Sequence, residues 1–313
     1  MNRDPLLSIV VATYNRLPEL RTMLDSLLPQ VAGQPVEVLV VDDRSTDATW
    51  EWLEANLAGR AGIRCLRMEQ NSGPGPARNL ALEVARGKYF VPFDSDFVIM
   101  EGAVERVLRA IQEEPAHILF FFPCIKVPGM QRLDSVTAAR CEIDYESFVS
   151  RNFGEMIPVA SLVHIRERKL AYSVLRVSGE GLLWMRMLAA GPALFLDTPL
   201  ALYRTDVSGR LSTLECHLSR PGDLAESAET FIELLESGPS IPGLRQIRAE
   251  RMVAAGTYHL LAGEGRKGRR FLFSALSERH WSAALALAAS FGGTRLFRTL
   301  FRFYRTKLRR AYV

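Results

Sequence analysis

The chain has 313 residues, 48% of them apolar, enough for a sizeable core and unlike a disordered chain. Its four cysteines, Cys65, Cys124, Cys141 and Cys216, are widely spaced, so neither a disulfide framework nor a zinc site is expected. The net charge of +4 is uneven: residues 294–313 hold seven basic side chains and no acid, which leaves −3 on residues 1–293. That is not the basic body of a nucleic-acid-binding protein, and no nucleic-acid partner is expected.

Met1–Pro5 is short and polar and lacks the features of a secretory signal. The apolar run Trp281–Phe291 is far shorter than the about 20 residues of a spanning helix. A cytoplasmic protein is expected. Leu6–Ala12 is a continuous apolar run of strand length. Pro18–Leu28 has helical periodicity, with Leu20, Met23, Leu24, Leu27 and Leu28 on one face. Val36–Val41 predicts a second buried strand. Asp47 suits the cap of a helix carrying Trp50, Leu53 and Leu57. Ile63–Met68 predicts a third strand, Pro76–Ala85 a helix opened by proline, and Tyr89–Phe93 a fourth strand. Gly102–Ile111 is helical and Ile118–Phe122 again strand-like. Continuous apolar strands alternating with amphipathic helices predict an α/β fold, a mostly parallel sheet flanked by helices.

The middle section, 123–215, is less regular, with a helix over Leu182–Ala190 and a strand-like Ala193–Tyr203. Ser219–Ala225 and Ser237–Pro242 are polar, proline-containing stretches, and 243–279 has the pattern of two helices. The expected division is 1–218 as one domain, with halves 1–122 and 123–218, and 219–313 as a helical C-terminal extension.

In an open parallel sheet, ligands bind at the carboxyl ends of the strands. The first strand is followed by Ala12-Thr13-Tyr14-Asn15-Arg16, and the second by Asp42-Asp43-Arg44-Ser45-Thr46-Asp47. After the third comes Asn71-Ser72-Gly73-Pro74-Gly75-Pro76-Ala77-Arg78-Asn79, and after the fourth Asp94-Ser95-Asp96. Polar groups gather at one sheet edge. Asp42-Asp43 can line a site or cap the next helix. Pro74 and Pro76 have no N–H for a pyrophosphate, so the glycines are not a dinucleotide-binding turn. Asp94 and Asp96, two positions apart at a strand end, can both lean on a hard cation, Mg2+ or Mn2+, that keeps open positions for a substrate phosphate. Such an ion neutralises charge on a leaving diphosphate.

These motifs, in this order and spacing, resemble the family 2 glycosyltransferases, bacterial inverting enzymes of GT-A fold. The resemblance covers about residues 6–110. It implies a nucleotide-diphosphate sugar donor, UDP favoured. Ala12, Thr13 and Tyr14 would line the base, with Asp43 accepting a hydrogen bond from it. Arg78 would lie near the diphosphate or order its loop, Asp94 near the ribose or metal, and Asp96 on the metal. The family often has another acid where this chain has Phe97, which makes Asp96 the principal expected protein ligand.

The family also carries an acidic pair before an aromatic helix, with the last acid as general base. Here Ser178-Gly179-Glu180-Gly181-Leu182-Leu183-Trp184 has one acid, so the resemblance gives Glu180 that role; a helix-capping role is the alternative. Asp206, in Tyr203-Arg204-Thr205-Asp206, stands where the family tends to have His. The implied function is a metal-dependent inverting glycosyltransferase acting on a glycan or lipid-linked acceptor in cell-surface polysaccharide synthesis, such as O-antigen or capsule. The alternative is a non-catalytic nucleotide-sugar-binding or scaffolding module on the same fold. A nucleotidyltransferase fits less well, because no Gly-rich basic phosphate loop lies near the N-terminus.

In the tail, Arg295, Arg298, Arg302, Arg305 and Arg309 fall on one helical face, with Phe297, Leu300, Phe301, Tyr304 and Leu308 on the other. Such a basic amphipathic helix suits an anionic membrane surface at the inner face of a bacterial membrane. A helix packed on its own domain, arginines in water, has the same pattern.

Overall fold

The computed structural model describes residues 4–177, 179–204, 214–278 and 280–303. The chain divides into two compact units, residues 1–176 with 183–209, and residues 177–182 with 210–313. The first unit opens with the expected alternation: β1 (Leu7–Thr13), α1 (Leu17–Val31), β2 (Val36–Asp42), α2 (Thr49–Leu57), β3 (Ile63–Arg67), α3 (Pro74–Val84) and β4 (Tyr89–Asp94). Then come β5 (Phe97–Ile99), α4 (Ala103–Glu113), β6 (Leu119–Val127), β7 (Gln131–Arg132) and β8 (Arg140–Ile143). They are followed by α5 (Tyr145–Ser150), β9 (Met156–Ser161), α6 (Leu162–Glu167), α7 (Glu180–Leu188), β10 (Ala193–Leu196) and β11 (Ala201–Arg204). Residues 180–182 of α7 group with the second unit.

The main sheet runs β3-β2-β1-β4-β9-β6-β10-β8. Its first four strands are parallel, so their carboxyl ends and the loops that follow share one edge. Leu7, Ile9, Val10 and Val11 of β1 are all fully buried, which is why the run is apolar without alternation. Leu20, Met23, Leu24 and Leu27 of α1 recur at steps of three and four and pack on Leu7, Ile9 and Val11. Full burial of each such leucine contributes roughly 2 kcal/mol. On the other face α3 packs against β1 and β2, and Trp184 of α7 stacks on Phe90 at 6.3 Å.

Beyond β4 the sheet is mixed. β9 enters antiparallel between β4 and β6. Pro158 at its centre, opposite Phe121, breaks the usual strand signature, so the sequence does not announce it. The stretch Ala193–Tyr203 is two strands rather than one, split at Asp197–Leu200, where Pro199 offers no N–H to a ladder. β10 pairs with the first part of β6 and β11 with its continuation.

The second unit holds α8 (Leu214–Ser219), α9 (Pro221–Ser237), α10 (Leu244–Ala262), α11 (Gly265–Ser277), α12 (Ser282–Ser290) and α13 (Gly293–Phe303). The polar, proline-containing stretch Ser219–Ala225 leads into α9, which Pro221 opens in its first turn, where the missing N–H costs nothing. α10 and α11 approach closely at Gly256 and Gly268; a Cβ on either would lie 2.8 Å from the other's carbonyl oxygen. His259 is buried here and paired through both ring nitrogens with Glu229 and Glu264.

The amino end of the sheet is held by one carboxylate. Buried Glu37 of β2 accepts from Ser8 Oγ of β1 at 2.7 Å, from the Arg86 amide, and from Arg64 of β3 at 2.7 Å. Burial alone would raise its pKa, but the bonds from Ser8, Arg86 and Arg64 outweigh it and hold Glu37 below its ordinary 4.5. Glu37→Ala is expected to cost about 3 kcal/mol in chemical denaturation, since it strands three donors. Because the folded-state pKa is depressed, this stabilisation is complete above pH 4.5 and is lost as pH falls through the lower folded value. The wild-type and Glu37→Ala stability curves therefore converge in acid; a constant gap down to pH 3 would contradict the assignment.

Candidate functional site

The four loops at the carboxyl edge are tied together by their own polar residues. Asn15 takes a positive φ of 50° after β1, and its Oδ1 accepts from the Thr46 amide at 2.7 Å and the Asp47 amide at 3.3 Å. Asp42 is fully buried, accepts from the Ser45 amide and pairs with Arg67 at 3.2 Å. Asp43 is also buried. Its two oxygens accept from the amides of Ser72 at 2.8 Å and Gly73 at 2.7 Å, so it clasps the third loop to the second. Burial raises its pKa, against the lowering effect of those two amides and Arg176.

The third loop is held from a distant part of the sequence. Asn79 Nδ2 donates to the Tyr172 carbonyl at 3.0 Å, and the Tyr172 amide returns a bond to Asn79 Oδ1 at 2.8 Å. This places the Tyr172 ring under the Arg78 guanidinium, 5.4 Å from its centroid. Arg176 donates to the Asn71 carbonyl and lies over Gly73. Gly75 is required where α3 meets this segment, because a Cβ there would sit 2.2 Å from the Ser173 carbonyl oxygen.

Asp94 and Asp96 stand at the centre. In the β1–β4 register Asp94 lies opposite Ala12. Its side chain is 47% exposed and its Oδ1 accepts from Arg78 at 2.6 Å. Asp96 is 5% exposed; Oδ2 accepts from Arg16 Nη1 at 2.8 Å, while Oδ1 is buried without a hydrogen-bond partner. Burial, and after it the charge of Asp94, push the Asp96 carboxyl upward, with Arg16 opposing them. A buried carboxylate oxygen lacking a donor, beside a second and exposed carboxylate, fits a hard cation that takes one or two protein carboxylates and fills its shell from substrate. Among the described residues no group of three or more His, Cys, Asp or Glu converges as a complete metal cage. Phe97 is not a lost ligand. It is buried, packs edge-on against Phe93 at 6.3 Å and Tyr203 at 5.6 Å, and seats β5 against β11.

The structure thus brings Ala12, Thr13, Asp43, Arg78, Asp94 and Asp96 to one edge. Thr13 is buried, and Tyr14 is exposed beside it. Glu180 is exposed as the first residue of α7. Asp206 lies outside the described residues. Arg16, Asn79, Tyr172 and Arg176 complete the set. Arg16 and Asn79 sit inside the motifs, but their partners are 80 and 93 residues away, beyond any local pattern.

A family model described as Glycosyl transferase family 2 matches residues 8–135, which span β1 to β7 and all four loops. This chain carries a family 2 glycosyltransferase domain. Glycosyltransferase GlyG of Streptococcus pneumoniae serotype 4 is 26% identical over 242 residues, which are 71% of this glycosyltransferase and 77% of the relative. Poly(ribitol-phosphate) beta-N-acetylglucosaminyltransferase TarS of Staphylococcus aureus is 34% identical over 125 residues, 39% of this chain and 21% of TarS. The chain spans 58% of the length of succinoglycan biosynthesis protein ExoO of Rhizobium meliloti. Among solved structures, TarS residues 1–349 in complex with UDP-GlcNAc match with a TM-score of 0.68 at 19% identity, covering 96% of this chain and 91% of that one. Mannosyltransferase PcManGT of Pyrobaculum calidifontis, in complex with GDP-Man and Mn2+, matches at 0.57 and 18% identity, covering 97% and 83%. These likenesses establish the GT-A fold of the glycosyltransferase, including its helical C-terminal part.

Proposed function

We propose that the enzyme transfers a sugar, with inversion, from a nucleotide-diphosphate donor to a hydroxyl of a glycan or lipid-linked acceptor in cell-surface polysaccharide synthesis. The curated relatives named for teichuronic acid, succinoglycan and poly(ribitol-phosphate) products support that setting. A UDP-sugar is the favoured donor, its base at Ala12, Thr13, Tyr14 and Asp43 and its diphosphate facing Arg78. Asp96 and Asp94 would hold Mg2+ or Mn2+, which supplies neutralisation of charge on the leaving diphosphate when bound. Arg16 and Arg78 already offset the two carboxylates and add positive charge beside that diphosphate. Glu180 is the proposed base that removes the acceptor proton. Such an acceptor calls for work at the inner face of a bacterial membrane, and the basic stretch 294–313 supports it.

The observation that carries the reading is the buried, partnerless Oδ1 of Asp96 next to Asp94. Thermal melts with UDP, GDP and dTDP, each with and without MnCl2, test it. A ligand at a hundred times its Kd adds about 2.7 kcal/mol. UDP with Mn2+ is expected to raise the melting temperature more than either alone. No shift with any nucleoside diphosphate would defeat the proposal.

A further inference from the structure

Two aromatic side chains of the tail helix pack within the second unit. Phe297 of α13 is buried and Phe301 meets Tyr258 of α10 at 6.4 Å, while Leu300 is exposed and Tyr304 and Leu308 lie outside the described residues. The most exposed large apolar side chains of this unit flank and line α12. Ala283, Leu287 and Ser290 are its buried positions. Trp281, Ala284, Leu285, Ala288 and Phe291 all face solvent, at 75% for Trp281, 79% for Leu285 and 71% for Phe291. Their spacing of three and four places them in one stripe, about 15 Å long at 1.5 Å per residue.

A basic strip adjoins it. Arg266, Arg269, Arg270 and Phe273 share one face of α11, and the Arg269 guanidinium lies over the Phe291 ring at 5.6 Å. Residues 265–303 hold eight Arg or Lys and a single acid, Glu278. Among the described residues no helix is long and apolar enough to cross a membrane.

We infer that the solvent face of α12, with the basic face of α11 beside it, is a docking surface for an anionic lipid bilayer. Tryptophan, leucine and phenylalanine enter the headgroup boundary while the arginines meet lipid phosphates. A second copy of the chain fits less well, because it would oppose one strongly basic surface with another. The inference rests on the proposed function only in taking the acceptor to be lipid-linked.

The test is co-sedimentation of the full chain with vesicles of phosphatidylcholine alone and of phosphatidylcholine with phosphatidylglycerol. The wild type is expected to sediment with the anionic vesicles only. Trp281→Ser/Leu285→Ser/Phe291→Ser and, separately, Arg266→Glu/Arg270→Glu are each expected to lower the bound-to-free ratio at least tenfold. All five positions are exposed, and unchanged circular dichroism and melting report that both variants fold. Equal sedimentation of variants and wild type, or no sedimentation of the wild type, overturns the inference. So does a wild-type dimer that the triple variant renders monomeric. Stabilisation by UDP with Mn2+ is measured on the same samples. Its absence with vesicle binding intact removes the proposed donor site and leaves the docking surface standing.

Discussion

Asp96→Asn is expected to lower UDP release from a UDP-sugar by on the order of 10³, the scale of removing one group aimed at developing charge in a transition state. The substitution keeps shape and removes charge. It takes away the carboxylate whose Oδ1 has no protein partner and which, in the proposed reading, receives the cation. The fold is expected to survive. Burial and Asp94 hold the Asp96 pKa up, so the ionised form is the one the folded state disfavours. The sign follows: stability linked to this group is greatest in acid and falls as pH rises through its folded value. At neutral pH the neutral amide relieves that cost, while Arg16, partly exposed, keeps access to water. Stabilisation by UDP with Mn2+ should drop to that seen with UDP alone, with little change in the ligand-free melt. Turnover within threefold of wild type would remove Asp96 from the reaction.

Glu180→Gln is expected to slow sugar transfer between 10²- and 10⁴-fold, the usual range for loss of a general base. Its effect differs in kind. Glutamine cannot accept the acceptor proton, yet it keeps size and polarity at the first turn of α7. Donor binding should be untouched, so the melt with UDP and Mn2+ should match wild type. If Glu180 only favours the start of α7, glutamine costs a few tenths of a kcal/mol and transfer proceeds normally. Single-turnover transfer in cell membranes supplying native acceptors separates the two, and a normal rate rejects the base assignment.

The parallel half of the sheet was legible because β1, β2 and β4 are buried on both faces and the helices carry stripes such as Leu20, Met23, Leu24 and Leu27. The loops were legible because Asp42-Asp43, Arg78-Asn79 and Asp94-Ser95-Asp96 follow those strands. What remained hidden is of three kinds. β9 is masked by Pro158, and the break between β10 and β11 lies inside one apolar run. Asp43 presents itself as a ligand contact, and its second task, accepting the Ser72 and Gly73 amides through its two oxygens, shows only in the fold. The clasps Arg16–Asp96, Asn79–Tyr172 and Arg176–Asn71 join residues whose separation only the folded chain reveals.

The place of β9 bears on how the chain is made. The strand ends at Ser161, past the matched stretch 8–135, yet it lies between β4 and β6. Until that segment leaves the ribosome, a nascent chain holds two apolar strands with unmet backbone edges, the surfaces through which unfinished chains stick to one another. At roughly 5–20 residues per second, the interval between β6 and β9 lasts a few seconds. The carboxyl edge of the sheet cannot set before it closes, since the Tyr172 clasp on Asn79 comes later still. A gene fragment trimmed to the matched stretch 8–135 would therefore lack the strand that joins β4 to β6.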